Sequence, residues 1–202
     1  MCDILTYKET MGGEKVLKHY LKVCFKMMGT HVITAIFSFM LCPLIFLALL
    51  SSRFGWILMS VATSIGYAIM VYSCAYKVAD KDIKVYSTNK PYILKGIVLA
   101  IPTLLVTLVL TCVYDFTFAH QFADYDLQMK TQLVGRSLFL GWNFMFEGFR
   151  VGVGGAVSTF YWVLSYALMP IASFLGYWAG MNRYDFGYKF FSAFVYKKPE
   201  NK

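Results

Sequence analysis

Residues 27–52, MMGTHVITAIFSFMLCPLIFLALLSS, run for 26 positions without an Asp, Glu, Lys or Arg. A helix needs about 20 predominantly apolar residues to cross the hydrocarbon of a bilayer, so this stretch alone is long enough to span. Three more follow. Positions 54–76, 96–114 and 151–182 give uncharged runs of 23, 19 and 32 residues. Spans are expected near 31–50, 55–76, 96–114 and 156–181, making the chain an all-α membrane protein with four transmembrane helices. Composition agrees: 58% of the 202 residues are hydrophobic and 15% charged, and the mean hydropathy of +0.56 exceeds what a soluble core absorbs. Aromatics, 18% of the chain, cluster near the ends of the apolar runs, where an amphipathic ring suits the headgroup layer. Pro43, Pro102 and Pro170 fall within three of the spans, and kinks are expected there.

Orientation follows from the basic residues. The segment before the first run, the connection between the second and third, and the tail hold 15 of the 19 Lys and Arg; Arg53, Lys130, Arg136 and Arg150 are the other four. The positive-inside rule therefore places both termini and the middle loop in the cytoplasm. This divides the chain into a cytoplasmic amphipathic N-terminal segment over 1–30, a transmembrane domain over 31–181 and a cytoplasmic basic tail over 182–202.

Both flanks read as interfacial helices. Over 14–29, Lys15, Lys18, Lys22 and Lys26 share one helical face, and Val16, Tyr20, Val23, Cys24, Met27 and Met28 fill the rest. In the tail, Phe186, Phe190 and Phe194 recur every four residues ahead of Lys197 and Lys198. The expected counter-surface is anionic lipid. The net charge of +8 is assigned to that partner, since no nucleic-acid-binding motif accompanies it.

Cys2, Cys24, Cys42, Cys74 and Cys112 have no metal-binding or redox spacing and read as small apolar residues. No apolar stretch precedes Cys2, which argues against a lipoprotein signal. His19, His31 and His120 are widely separated, and His31 reads as an interfacial start to the first span. There is no HExxH, GxSxG or phosphate-loop motif and no carboxylate pair within a span. No catalytic residue, metal ligand or cofactor is assigned.

The most informative polar segment is 136–150, on the external side. At helical spacing Arg136, Asn143, Glu147 and Arg150 share one face, with Leu138, Phe139, Trp142, Met145, Phe146 and Phe149 opposite. Glu147 and Arg150, three apart, are placed to pair, and the glycine-rich run 151–155 supplies a flexible turn into the fourth span, giving a short re-entrant or surface-lying helix. The favoured account lays this helix on the outer leaflet with its charges in water; the alternative puts Glu147 and Arg150 on an intramembrane cavity. Asp115, just beyond the third run, is a candidate counter-charge for Arg136 or Arg150. Hydroxyl and small residues in the spans, among them Ser60, Thr63, Thr103, Thr107 and Ser173, are spaced to let helices approach and hydrogen-bond across. Gly66-Tyr67 and Gly176-Tyr177 form a faint half-to-half echo, which is taken as coincidence.

The segment 76–82, the run Lys95-Gly96-Ile97 leading to Ile101-Pro102, and Leu175-Gly176-Tyr177 followed by Val195-Tyr196-Lys197-Lys198 resemble a widespread group of small, functionally uncharacterised membrane proteins of Clostridia-type Gram-positive bacteria. The resemblance implies a bacterial plasma membrane and brings no activity with it. The function expected is a non-enzymatic membrane component or accessory subunit. It packs against anionic lipid and either its own copies or a partner membrane subunit; the alternative is a small oligomeric transporter or channel.

Overall fold

A computed structural model describes residues 2–40, 44, 52–84, 91–119, 125–152 and 159–184, without the side chains at 2–17, 19, 152, 159 and 160. The side chain of Lys15, and positions 185–202 with Lys197 and Lys198, lie outside the described residues. The elements are α1 (Cys2–Met40), α2 (Arg53–Asp82), α3 (Lys95–Ala119), α4 (Tyr125–Trp142), a 3-10 turn (Phe144–Phe146), α5 (Glu147–Gly152) and α6 (Thr159–Met181), with no strand among the described residues. Four helical stretches are long and apolar enough to cross a membrane: Tyr20–Met40 within α1, all of α2, all of α3, and Tyr161–Met181 within α6. The four-span all-α architecture is as the uncharged runs require.

Boundaries differ where packing outweighs charge. The amphipathic stretch over 14–29 is helical but is not a separate interfacial element, since α1 continues unbroken to Met40. Lys18, Lys22 and Lys26 are exposed as expected, while Val23, Cys24 and Met27 are buried in the protein core and not laid against headgroups. Within the described residues the apolar stretch of α1 runs over Tyr20–Met40, and 41–43 and 45–50 of the expected first span lie outside them. The second and third extend past their uncharged runs, taking in Lys77, Asp80, Lys81 and Asp82 in α2 and Lys95 and Asp115 in α3. Pro102 and Pro170 sit inside continuous helices; Pro43 lies outside the described residues.

Local chemistry sets the helix ends. The Ser52 hydroxyl accepts the Gly55 N–H at 3.1 Å and caps α2. At the end of α6, Arg183 takes φ 50°, and the Tyr184 N–H reaches the Ala179 carbonyl at 2.8 Å while Arg183 N–H reaches Gly180 at 3.2 Å. This is a left-handed cap in which Arg occupies the place usually held by Gly.

Glycines decide how closely the helices approach. A Cβ on Gly176 would collide with the Tyr72 backbone, and one on Gly180 would come within 2.6 Å of the Tyr76 carbonyl. Because 176 meets 72 and 180 meets 76, α2 and α6 run in the same direction. Small-xxx-small contact of this kind lets backbones pack where lipid offers no hydrophobic drive between helices. Ser173 then donates to the Gly96 carbonyl at 2.6 Å, joining α6 to α3.

One end of the bundle is closed by a buried ion pair. Lys95 Nζ lies 2.6 Å from Asp82 Oδ2, both side chains 1% exposed. The Tyr177 hydroxyl donates to the same carboxylate oxygen at 2.8 Å, and the Lys95 ammonium sits 4.4 Å above the Tyr20 ring. Each of α1, α2, α3 and α6 contributes one residue, so the start of the first span and the end of the last meet at the same end. Gly66-Tyr67 and Gly176-Tyr177 are not equivalent in this frame: Tyr67 lies mid-helix, whereas Tyr177 belongs to the end cluster.

Gly176→Ala should lower stability by about 1–3 kcal/mol through overpacking against α2, whereas Gly66→Ala, with open space around the new methyl, should be neutral or stabilising. Unfolding midpoints in detergent micelles compare the two; equal effects would refute close α2–α6 contact.

Candidate functional site

The segment over 125–152, part of the connection expected on the external side, departs most from expectation. Beyond Ala119 the chain folds back, and α4 descends along α3. Gly135 leaves no room for a Cβ beside the Thr117 hydroxyl, 2.6 Å away, and the Phe139 and Tyr114 rings lie 4.7 Å apart. The Trp142 indole N–H then donates to Thr107 Oγ1 at 2.9 Å. Thr107 is the midpoint of α3, so α4 ends at half-depth in the bundle.

There the helix breaks. Asn143 takes φ −100°, ψ 15° and turns its side-chain N–H back to the Phe139 carbonyl at 3.2 Å, ending α4. The 3-10 turn follows, and the chain climbs again along α2. Thr63 donates to the Met145 carbonyl at 2.7 Å, and the Gly148 N–H donates to Ser60 Oγ at 2.7 Å. Gly148 lies so close to the Trp56 backbone that a Cβ would not fit. Ser60 and Thr63 are seven and ten residues into α2, about 10 and 15 Å along its axis. Residues 125–152 thus form a re-entrant helical hairpin, and not one surface helix over 136–150.

The tip of the hairpin is held by His31. Its ring stacks on Trp142, with centroids 4.3 Å apart, and meets Tyr67 edge-on at 5.2 Å. His31 Nε2 lies 3.1 Å from the Trp142 carbonyl, which only accepts, so Nε2 carries the proton. In the neutral ring Nδ1 accepts from the Tyr67 hydroxyl, 2.8 Å away. His31 is 2% exposed and lies in the middle of Tyr20–Met40. The expectation of an interfacial start fails because a buried hydrogen-bond pair offsets the cost of placing imidazole in the core.

The expected polar face divides into separate environments. Glu147 is 6% exposed and Asn143 fully buried, so the surface account of these residues is overturned: the break at Asn143 rotates the following residues toward α2. Arg150 Nε donates to Glu147 Oε1 at 2.8 Å, and Nη2 contacts the same oxygen. Glu147 Oε2 and Asn143 Oδ1 are buried with no hydrogen-bond partner among the described residues. Arg136 is exposed and lines an outer cleft apart from this pair. Asp115 is exposed on α3 and makes no ion pair with Arg136 or Arg150 among the described residues.

Two groupings escaped the sequence. Lys95, one of the basic residues assigned to the middle loop, pairs with Asp82 in the interior. His31, Tyr67, Trp142 and Thr107 come from four helices, and the signals in the sequence were the polar ring of His31 within an uncharged run and the hydroxyl spacing that includes Thr107. Among the described residues no three His, Cys, Asp or Glu side chains converge to hold a metal, and Cys24, Cys74 and Cys112 are free thiols. Compared with known proteins, the chain matches no family model, no curated protein and no solved structure.

Arg150→Gln leaves a buried carboxylate uncompensated and should cost about 3 kcal/mol. Glu147→Gln should cost less, because the Arg150 side chain is 18% exposed against 8% for Glu147. Their double variant should cost less than the sum of the two. Chemical unfolding in micelles measures all three; strict additivity would show that the residues are uncoupled.

Proposed function

We propose that the protein is a non-enzymatic component of the bacterial plasma membrane, a four-span subunit that packs against a partner membrane protein or its own copies and against anionic lipid. The observation that carries this reading is the plugged centre of the bundle. A channel or carrier needs a wet path at mid-depth, and the third-span threonines are the residues placed to line one. Thr103 and Thr107 are 2% and 1% exposed. Thr107 is occupied by the Trp142 indole, and Tyr67, Met59, Leu99 and Val71 fill the surrounding interior at 1% exposure or less. Apolar side chains project outward from α1 and α3, including Phe25, Ile36, Leu105 and Val109, as lipid or a partner helix requires.

A bacterial plasma membrane is supported by the resemblance of 76–82, 95–102, 175–177 and 195–198 to small membrane proteins of Clostridia-type bacteria. Cytoplasmic termini are supported by the 15 basic residues in the three segments that flank the Asp82–Lys95 end. Exposed Lys18, Lys22 and Lys26 face the anionic lipid of that leaflet.

Purified protein reconstituted in planar bilayers should pass no current above the lipid background; a conductance lost in Glu147→Gln would replace this reading with a channel. Asn201→Cys, on a background with the native cysteines changed to Ser, should react with an impermeant maleimide only after cells are opened. Labelling in intact cells would reverse the orientation.

A further inference from the structure

We propose that the outer cleft between the end of α3 and the first turns of α4 binds a phospholipid with an anionic headgroup. The cleft has a volume of about 410 Å³. Phe118, Met129 and Leu133 form its apolar wall, and Lys130, Arg136 and Asp126 its charged rim. Lys130 and Asp126 are 3.8 Å apart with both side chains at least three-quarters exposed, a contact that contributes little in water. Arg136 has no ion-pair partner among the described residues. Among the described lining residues, Lys130 and Arg136 against Asp126 leave one positive charge in excess, centred on the Arg136 guanidinium.

Depth identifies the occupant. Trp142 marks the middle of α3, and Arg136, six residues earlier on α4, stands about 9 Å above it along the helix axis. Gly135 touches Thr117 two residues before the end of α3. Half of the hydrocarbon core is about 15 Å, so the Arg136 backbone falls in the outer acyl region with its side chain within reach of the headgroups, a level at which a cation needs a counter-anion and its stem lies along apolar surface. Leu133, Val134 and Leu138 are 66%, 57% and 52% exposed on the same helix, so the wall of the cleft is continuous with surface that hydrocarbon covers. A soluble anion would satisfy Arg136 and leave the wall bare; an apolar peptide would cover the wall and leave the guanidinium without a partner. A phosphate joined to acyl chains satisfies both, and guanidinium binds phosphate through paired N–H donors. The assignment rests on the membrane reading above and not on the choice between subunit and channel, since a channel would hold such a lipid equally well.

The test places the full chain in bilayer discs of phosphatidylcholine with phosphatidylglycerol as the minority lipid, and measures the lipid retained after detergent extraction by native mass spectrometry. Wild type should retain phosphatidylglycerol in preference to phosphatidylcholine. Arg136→Gln should lower that retention about tenfold, and Leu133→Gln should lower it as well. Arg53→Gln, an exposed cation at the same end of the bundle, should leave it unchanged. Equal retention in Arg136→Gln and wild type, or equal retention of the two lipids, overturns the proposal. Displacement by inorganic phosphate with no effect of Leu133→Gln would mark a free-anion site and overturn it too. Should Arg136→Gln shift the unfolding midpoint, Lys130→Gln, whose side chain is 76% exposed, takes its place with the same readout and a smaller expected drop.

Discussion

A helix that breaks at membrane depth exposes backbone N–H and C=O groups where there is no bulk water to receive them, each at a cost of several kcal/mol. The hairpin over 125–152 survives because its loosened groups have specific partners. The Trp142 carbonyl receives the His31 ring N–H, the Met145 carbonyl receives the Thr63 hydroxyl, and the Gly148 N–H finds Ser60. Three side chains on two spanning helices thus specify where the hairpin turns. Removing any of them leaves a buried backbone group unpaired, which costs more than the net worth of the bond itself.

The rest of the bundle is arranged around that requirement. α4 can reach half-depth only because Gly135 admits Thr117, and α5 can climb only because Gly148 admits the Trp56 backbone. Trp142, half-buried, ties α4 to α3 through Thr107 at mid-depth, while Asp82, Lys95, Tyr177 and Tyr20 close one end. One end is held by a buried charge pair and the middle by neutral hydrogen bonds. The Glu147–Arg150 pair lies on the ascending limb between the middle and the end away from Asp82 and Lys95. A desolvated ion pair is weak evidence of stability, since desolvation offsets much of the attraction. It is better evidence of register, because neither partner tolerates a shift that separates it from the other.

The hairpin also separates residues that look alike in sequence. Arg136, Asn143, Glu147 and Arg150 fall on one face only if the helix is continuous. The break at Asn143 buries Glu147 and leaves Arg136 outside. Charge at a given position is thus a poor guide to depth in this chain: Lys95 is almost fully buried, and Arg136, on a helix that enters the bundle, is open to its surroundings.

What the amino-acid order determined by itself was the count of spans and their approximate places, because excluding charge over about 20 residues is a local, additive property of composition. It also carried the hydroxyl and glycine spacing that lets helices bond and approach across α2, α3 and α6. Tertiary structure alone decided that α1 runs unbroken through 14–40, that His31 is interior, that Asp82 and Lys95 are paired, and that the segment over 136–150 breaks at Asn143 and packs on α2. Each of these depends on a contact between residues distant in sequence: His31 with Trp142, Asp82 with Lys95, Thr63 with Met145. Periodicity along one helix reports which side chains share a face, but the surface that face meets is set by the partners folding brings to it.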